Sequence, residues 1–369
     1  WFLMKKIIRV LLILTLVTTL ITGCTNENKK DNIEDIDNTE DNVEDTEEEK
    51  VELPCSISDY FPFKENTLFS YKGEGNEYAE KVTYFEYING DRAQLKTMNP
   101  GTNAVSILEY KDGELRELYF EGEVYYIENL LDTVGQKENY EVVLKEPLKV
   151  GSTWELKDGN KKTITGCNVE IDTPYKKFKA LEVTTELGGS RKQLDYYVEG
   201  IGLVASIYKD GEYEVKTLLE DLRENDGIVQ NMRFYYPTTT DISTVYTNID
   251  VKFMTNNKME ELIERTFKNP PSQKVMSPIS QSTKINSIVY DKDKNMVKVD
   301  FSKELIEEMN AGSSLETEVL NSIVNTFGNY YGVKKVYIST EGKPYSSGHY
   351  AIGEDEYFTT DETDIIELK

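Results

Sequence analysis

The only histidine in the chain is His349, in Ser346-Ser347-Gly348-His349-Tyr350. A Ser/His/Asp or Cys/His nucleophilic site would have to use it as base, because no other side chain has an ordinary pKa near neutrality. A lone histidine in a loop ahead of an acidic tail reads as plain surface. No catalytic residue is therefore expected, and the chain is not expected to be an enzyme. Asp291, Asp293 and Asn295 imitate the first three ligand positions of a calcium loop, but Met296 stands where that loop needs Gly and Ser302 where it needs Glu. A hairpin turn accounts for the same residues, so no metal is expected. Gly73-Glu74-Gly75 lacks the third glycine and the helix of a nucleotide loop, and no cofactor is expected. Among 67 acidic residues no spacing selects a carboxylate pair for glycoside chemistry. Cys55 and Cys167 show no CxxC or Cys/His zinc spacing, and whether they form a disulfide or two separate thiols stays open.

Cys24 has a different chemistry in view. Lys5, Lys6 and Arg9 make a short basic start, Val10 to Ile21 an apolar run, and Ile21-Thr22-Gly23-Cys24 closes it. This layout is that of an export signal. It resembles the signal peptides of bacterial lipoproteins, which implies cleavage before Cys24 and a diacylglyceryl group on its sulfur. A membrane-spanning anchor would need roughly 20 apolar residues, more than the unbroken run supplies. Met4-Lys5-Lys6 looks like the natural start, with Trp1-Phe2-Leu3 ahead of it. Residues 1–23 are thus expected to be the signal peptide, and the mature protein a lipid-anchored one on the extracytoplasmic face of the cell membrane.

Residues 24–54 read as a disordered linker. Thr25–Pro54 holds thirteen acidic residues and three lysines, a net charge of −10 out of −25 for the chain. Such a segment has too little apolar surface to offset the entropy of ordering it, and like charges keep it extended. At roughly 3.3 Å per residue its reach is at most about 100 Å. The remaining negative charge argues against nucleic acid or anionic lipid as a partner, so contact with the membrane falls to the lipid on Cys24, whose two acyl chains hold stably.

The fold class expected is α+β in two domains, divided near Glu224-Asn225-Asp226-Gly227, each able to fold alone. Residues 55–227 read as antiparallel β, curled into a half-barrel or sandwich. Lys81–Ile88 alternates, Asn89-Gly90 is a hairpin signal, and Arg92–Met98 follows. Turns at Lys111-Asp112-Gly113, Glu121-Gly122-Glu123, Lys157-Asp158-Gly159-Asn160 and Lys209-Asp210-Gly211 set further strands, including Val124–Ile127. The 25 tyrosines of the chain serve mainly as half-buried strand residues. The alternative is a Tyr-rich groove, with Trp154, that takes a lipid, glycan or peptide. Pro147–Trp154, Thr173–Phe178 and Tyr196–Val204 resemble a β-rich module of other exported lipoproteins of Gram-positive bacteria; no chemistry follows from that likeness.

Residues 228–369 read as mixed α/β. Met232–Tyr236 is a strand stopped by Pro237. Asn257 is placed to cap a helix with Met259, Leu262, Ile263, Thr266 and Phe267 on one face, ended by Asn269-Pro270-Pro271. Lys284–Tyr290 and Met296–Phe301 flank a hairpin. Ser302 is expected to cap a short helix, and Ser313-Ser314-Leu315-Glu316 to be a capping box opening a long helix with Leu315, Val319, Leu320, Ile323, Val324 and Phe327 inward. Gly312 is a turn position before that cap. Thr326 can bond back to a carbonyl, and Gly328 is placed to end the helix. Val333–Ser339 is a strand, and the tail from Glu354 is expected to be loosely held.

The run Val297–Ser302 with Asp300, then Gly312–Glu316, Ser322–Phe327, Gly332–Val336 and Glu341-Gly342-Lys343 resembles the GerMN domain of sporulation and spore-germination lipoproteins, over Met232 to Lys343. The stretch Ser280–Lys284 departs from that pattern, and a single copy is visible. The resemblance implies a lipid-anchored envelope protein that acts by protein–protein interaction or scaffolding, with another envelope protein or its own copy as partner, in sporulation or germination. Asp300, Ser302, Gly312, Ser313, Glu316, Thr326 and Gly342 are expected to be structural motif residues.

Overall fold

The computed structural model describes residues 56–135 and 139–369. The signal segment, the linker, Cys24 and Cys55 lie outside the described residues.

The first region is built from hairpins. A short helix α1 (Ile57–Tyr60) precedes β1 (Thr67–Glu74), β2 (Lys81–Asn89), β3 (Arg92–Met98), β4 (Asn103–Lys111), β5 (Glu114–Gly122) and β6 (Glu141–Lys145). A second meander follows: β7 (Thr153–Glu155), β8 (Lys161–Asp172), β9 (Lys177–Glu186), β10 (Arg191–Val198), β11 (Gly202–Asp210) and β12 (Tyr213–Glu224). β12 pairs with β1, so one twelve-stranded antiparallel sheet runs from β6 through β1 and β12 to β7. The tight turns are where the composition puts them; Asp112 and Gly113 both take positive φ, 53° and 68°, as a two-residue hairpin between twisted strands requires.

The sheet curls into a nearly closed barrel. Its two end strands share no ladder, but side chains span the gap. Trp154 Nε1 donates to the Val142 carbonyl at 3.2 Å, Lys162 Nζ to the Val143 carbonyl at 3.3 Å, and Lys157 pairs with Glu141 at 3.7 Å. Covering a free edge in this way removes a template for intermolecular pairing. Phe85, Leu108, Leu115, Leu144, Trp154, Ile164 and Val183 fill one cluster against this sheet, with Ile57 and Tyr60 of α1 packed into it. Each fully buried residue of this size contributes about 1.5–3 kcal/mol. Val124–Ile127 is a correction: it is not a strand. It belongs to a segment whose Val124, Tyr126, Ile127, Leu130, Leu131 and Val134 are buried.

The second region begins with β13 (Ile228–Pro237) and β14 (Thr244–Phe253), an antiparallel pair. Then come α2 (Met259–Lys268), β15 (Ile285–Asp291), β16 (Met296–Phe301), α3 (Glu304–Glu307), α4 (Ser313–Tyr331), β17 (Lys335–Thr340), β18 (Lys343–Pro344), β19 (Phe358–Thr359) and β20 (Ile366–Glu367). β15 and β16 form the expected hairpin, and β16 runs parallel to β17, with α3 and α4 in the crossover. The tail is not loosely held: β19 pairs with β17, β20 pairs with β14, and Asn325 and Asp361 exchange two hydrogen bonds of 2.8 and 2.9 Å.

One hydrophobic core joins the two regions. Leu68, Tyr84, Tyr87, Val105, Ile107 and Leu118 of the barrel pack in the same cluster as Ile228, Phe253, Phe327, Val299 and Ile338. Such a shared core runs against the expectation that each region folds alone.

Candidate functional site

Of the family-like motif residues, Asp300, Ser302 and Gly342 lie at the ends of the β16–β17 pair and Gly312, Ser313 and Glu316 at the start of α4, while Thr326 stands farther along that helix against β13. Asp300 is a tie between strands. Its Oδ1 accepts from Ser339 Oγ at 2.6 Å and from the Gly342 backbone at 2.8 Å, and its Oδ2 from Asn286 Nδ2 at 2.8 Å. Gly342 sits at φ 73° in the turn between β17 and β18. Ser302 does not cap α3. The cap position is Lys303, already helical, and the Ser302 hydroxyl accepts from the Lys284 backbone at 2.9 Å while Ser302 N donates to the Lys284 carbonyl. The hydroxyl thus extends the hairpin ladder by one step.

The capping box at Ser313 is not formed either. Gly312 is the N-cap of α4, with no side-chain cap, and Ser313 is the first helical residue. Glu316 turns inward. It is 2% exposed, its Oε1 accepts from the Tyr345 hydroxyl at 2.7 Å, and its Oε2 lies 2.6 Å from Nδ1 of His349. Burial alone would raise the Glu316 pKa. Hydrogen bonds from Ser347, Tyr345 and His349 overcome it and hold the carboxyl below its ordinary 4.5. His349 is exposed, as expected of a surface loop residue, but its ring also fastens the 345–350 loop to α4. Its pairing was invisible because the partners stand 33 residues apart.

Thr326 bonds back to the Ser322 carbonyl at 2.8 Å, as expected, and also accepts from the Tyr235 backbone at 3.1 Å. The helix does not end at Gly328. It continues to Tyr331, and Gly332 at φ 65° is the left-handed cap. Gly328 instead allows close packing: a Cβ there would lie 2.1 Å from Thr360 Cγ2. The Asn257 cap is also corrected. Lys258 is the N-cap of α2, and Asn257 Oδ1 accepts from the Met254 backbone. Asp291 accepts from the Lys294 backbone and pairs with Lys298 at 2.9 Å inside its hairpin.

A buried polar network lies where the barrel meets the second region. Glu86 and Lys96 are both fully buried and stand 3.4 Å apart. Gln94 Nε2 donates to Glu86 at 2.6 Å and to the Glu128 carbonyl at 2.8 Å; Lys96 Nζ donates to the Tyr126 carbonyl at 2.9 Å. Burial pushes the Glu86 carboxyl up, against the pull of Lys96 and Gln94. These bonds hold the segment around Tyr126–Leu130 on the sheet. From the other side the Tyr330 hydroxyl accepts from Ile127 N at 2.9 Å and meets Gln230 at 2.8 Å. Tyr126, Tyr290 and Tyr331 pack ring against ring, with centroids 5.1–5.8 Å apart. Many tyrosines thus serve an internal seam. A charged residue inside the apolar run Tyr84-Phe85-Glu86-Tyr87 was the available signal for this network.

The barrel also has a small recess, lined by Phe61, Tyr71, Lys81 and Phe85 among others, with a cavity volume of about 80 Å³. Trp154 takes no part in it and is buried in the barrel cluster. Cys167 is a free, partly buried thiol whose pKa burial raises; Cys55 lies outside the described residues. Among the described residues no three His, Cys, Asp or Glu side chains gather as a metal-ligand set, and no helix is long and apolar enough to cross a membrane.

Residues 233–346 match the Germane family, described as sporulation and spore germination, so the second region carries a domain of that family. No curated protein matches the chain. Among solved structures, the tandem GerMN domains of the sporulation protein GerM from Bacillus subtilis share 21% identity at a TM-score of 0.29. The match covers 36% of this chain and 46% of that one, so the chain spans about half of that structure's length. The first GerMN domain of the same protein aligns at 15% identity and a TM-score of 0.27, over 35% of this chain and 97% of that one. A structure described as a lipoprotein from Parabacteroides distasonis aligns at 15% identity and a TM-score of 0.29, over 46% of this chain and all of that one.

Proposed function

We propose that this is a lipid-anchored extracytoplasmic protein that acts by binding another envelope protein, or its own copy, in sporulation or germination, and that it catalyses no reaction. The observation that carries the reading is the Germane match over 233–346. The side chains of the family-like motif give it support. Asp300, Ser302 and Thr326 spend their hydrogen bonds on the fold itself, as strand ties and helix back-bonds. Glu316 and His349 bond one another, which leaves His349 in a fastening role.

The reading is tested by crosslinking in intact cells during growth and during sporulation, followed by capture of the full chain. A specific partner or a crosslinked dimer, present in sporulating cells, is the expected result. Digestion of purified peptidoglycan is the opposing test: muropeptide release that one carboxylate substitution abolishes would make the protein an enzyme. For the anchor, Cys24→Ala is expected to abolish metabolic labelling with fatty acid and to leave an uncleaved precursor.

A further inference from the structure

We propose that the free edge of β13 binds an uncharged, extended peptide segment of a partner protein, which adds to it as an antiparallel strand. Thr238 N donates to the Ser243 carbonyl one step beyond the β13–β14 ladder. Bonded residues alternate in an antiparallel pair, so the even-numbered residues of β13 bond to β14 and the odd-numbered ones face outward. Two contacts show it. Tyr235 N donates to Thr326 Oγ1 of α4 at 3.1 Å, and the Pro237 carbonyl accepts from Met276 N at 2.9 Å. Farther on, Thr239 N donates to the Lys274 carbonyl at 2.9 Å. The chain thus covers this edge from Tyr235 onward. It does not cover the stretch before: among the described residues, the outward N–H and C=O groups of Val229, Asn231 and Arg233 have no hydrogen-bond partner.

The open stretch borders a cleft of about 290 Å³, walled by Met98, Asn103 and Tyr125 from the barrel side and by Asn329 and Tyr330 of α4. Unpaired polar groups along an edge are a template for another strand. In strand addition the main-chain bonds give affinity and alternate side chains give specificity. Residues opposite Val229, Asn231 and Arg233 share the outer face with them. Val229 is 58% exposed, and an aliphatic β-branched residue opposite would cover it. The residues in between point to the face of Gln230 and Met232. There the Tyr330 hydroxyl meets Gln230 at 2.8 Å, and Met98 packs on the core that holds Met232, so small side chains fit. Charge selects the occupant. Arg233 is the one charged residue of the lining, and Glu362 already answers it at 3.4 Å. A neutral cleft in a chain of net charge −25 favours an uncharged segment and disfavours a second copy, which would bring its own −25 alongside. This inference rests on the reading that the chain acts by binding protein, and gives that reading a site.

The test is calorimetric titration of the full chain with the acetylated, amidated peptide Thr-Ser-Thr-Ser-Val. Paired antiparallel, it sets its valine opposite Val229 and its threonines opposite Asn231 and Arg233. Saturable binding with Kd below about 1 mM is expected. Methylating the amide nitrogen of the third residue, which faces β13, should weaken binding by about tenfold or more, and methylating that of the fourth, which faces away, should not. Asn231→Pro should still fold, because the N–H it removes lies outside the ladder, and should weaken binding by about tenfold or more. Hydrogen exchange in the wild-type protein does not depend on that variant folding: the peptide should slow exchange of the Asn231 amide by about tenfold or more. No saturable binding at millimolar peptide, equal loss on methylating either nitrogen, undiminished binding by a folded Asn231→Pro, or an unmoved Asn231 amide would each overturn the proposal. So would a dimer in sedimentation that Asn231→Pro abolishes, which would give the edge to a second copy. A partner crosslinked in sporulating cells whose capture survives Asn231→Pro would overturn this site and leave the broader binding reading standing.

Discussion

Glu316 and Asp300 put carboxylates to structural use in different ways. Glu316 is buried and charged, and its folded pKa lies below its ordinary 4.5. A depressed carboxyl pKa adds stability that is fully present above the ordinary value and is lost as pH falls through the folded one. Glu316→Gln should therefore lower the melting temperature at pH 7, by about 1–3 kcal/mol of stability. The gap from wild type should close as pH drops below about 4.5. A gap that stays constant from pH 7 to 3 would show that the charge contributes nothing. Asp300→Ala removes the acceptor for Asn286, Ser339 and Gly342 at once, and about 2 kcal/mol of destabilisation in urea titration is expected. Sequence singled out both residues but mistook the bonds of one. Serine, two residues and glutamate is the text of a capping box, yet helix start is decided by where Gly312 turns, and the inward position of Glu316 is decided by Tyr345 and His349, which no local pattern contains.

Elements were more legible than their ends. Alternation and turn residues located β2, β3 and the β15–β16 hairpin, since a period of two with Asn-Gly or Asp-rich turns has few other readings. The inward face of α4 was legible from its helical period: Val319, Leu320, Ile323, Val324 and Phe327 are buried, whereas Leu315, expected on the same face, is only partly so. Ile323→Asp would bury an unpaired carboxylate and is expected to cost several kcal/mol, a large part of the stability of a domain. Circular dichroism melting checks it, and a wild-type melting curve would place that face at the surface. The helix end was misread because Gly328 and Gly332 look alike in sequence. Only the second takes φ 65°, while the first makes room for Thr360 of the tail. The Thr360 contact spans 32 positions, and the tail strands themselves are two residues long, below what alternation can detect.

At the scale of the whole molecule the seam between barrel and Germane domain decides how the chain unfolds. The segment from Val124 to Val134 has the barrel's polar network on one side and Tyr330 on the other, so it is bonded to both bodies at once. Composition shifts near 224–227 suggested two separable units, because periodicity reports that a face is apolar and not which partner covers it. With Tyr84, Ile107 and Ile127 in the same core as Ile228, Phe253 and Phe327, separating the regions exposes apolar surface on both. Fragments 56–227 and 228–369, expressed alone, should each bind a hydrophobic dye and melt well below the full chain. The intact chain should unfold in urea as a single transition, reported together by tyrosine fluorescence and far-UV dichroism. Ile127 is 1% exposed at the centre of the seam. Ile127→Asp should therefore uncouple the bodies before it unfolds either, splitting the single transition into two with a lower first midpoint. Two transitions already present in the wild type, or a single unshifted one in Ile127→Asp, would mean that each body is held by its own core and the seam adds little.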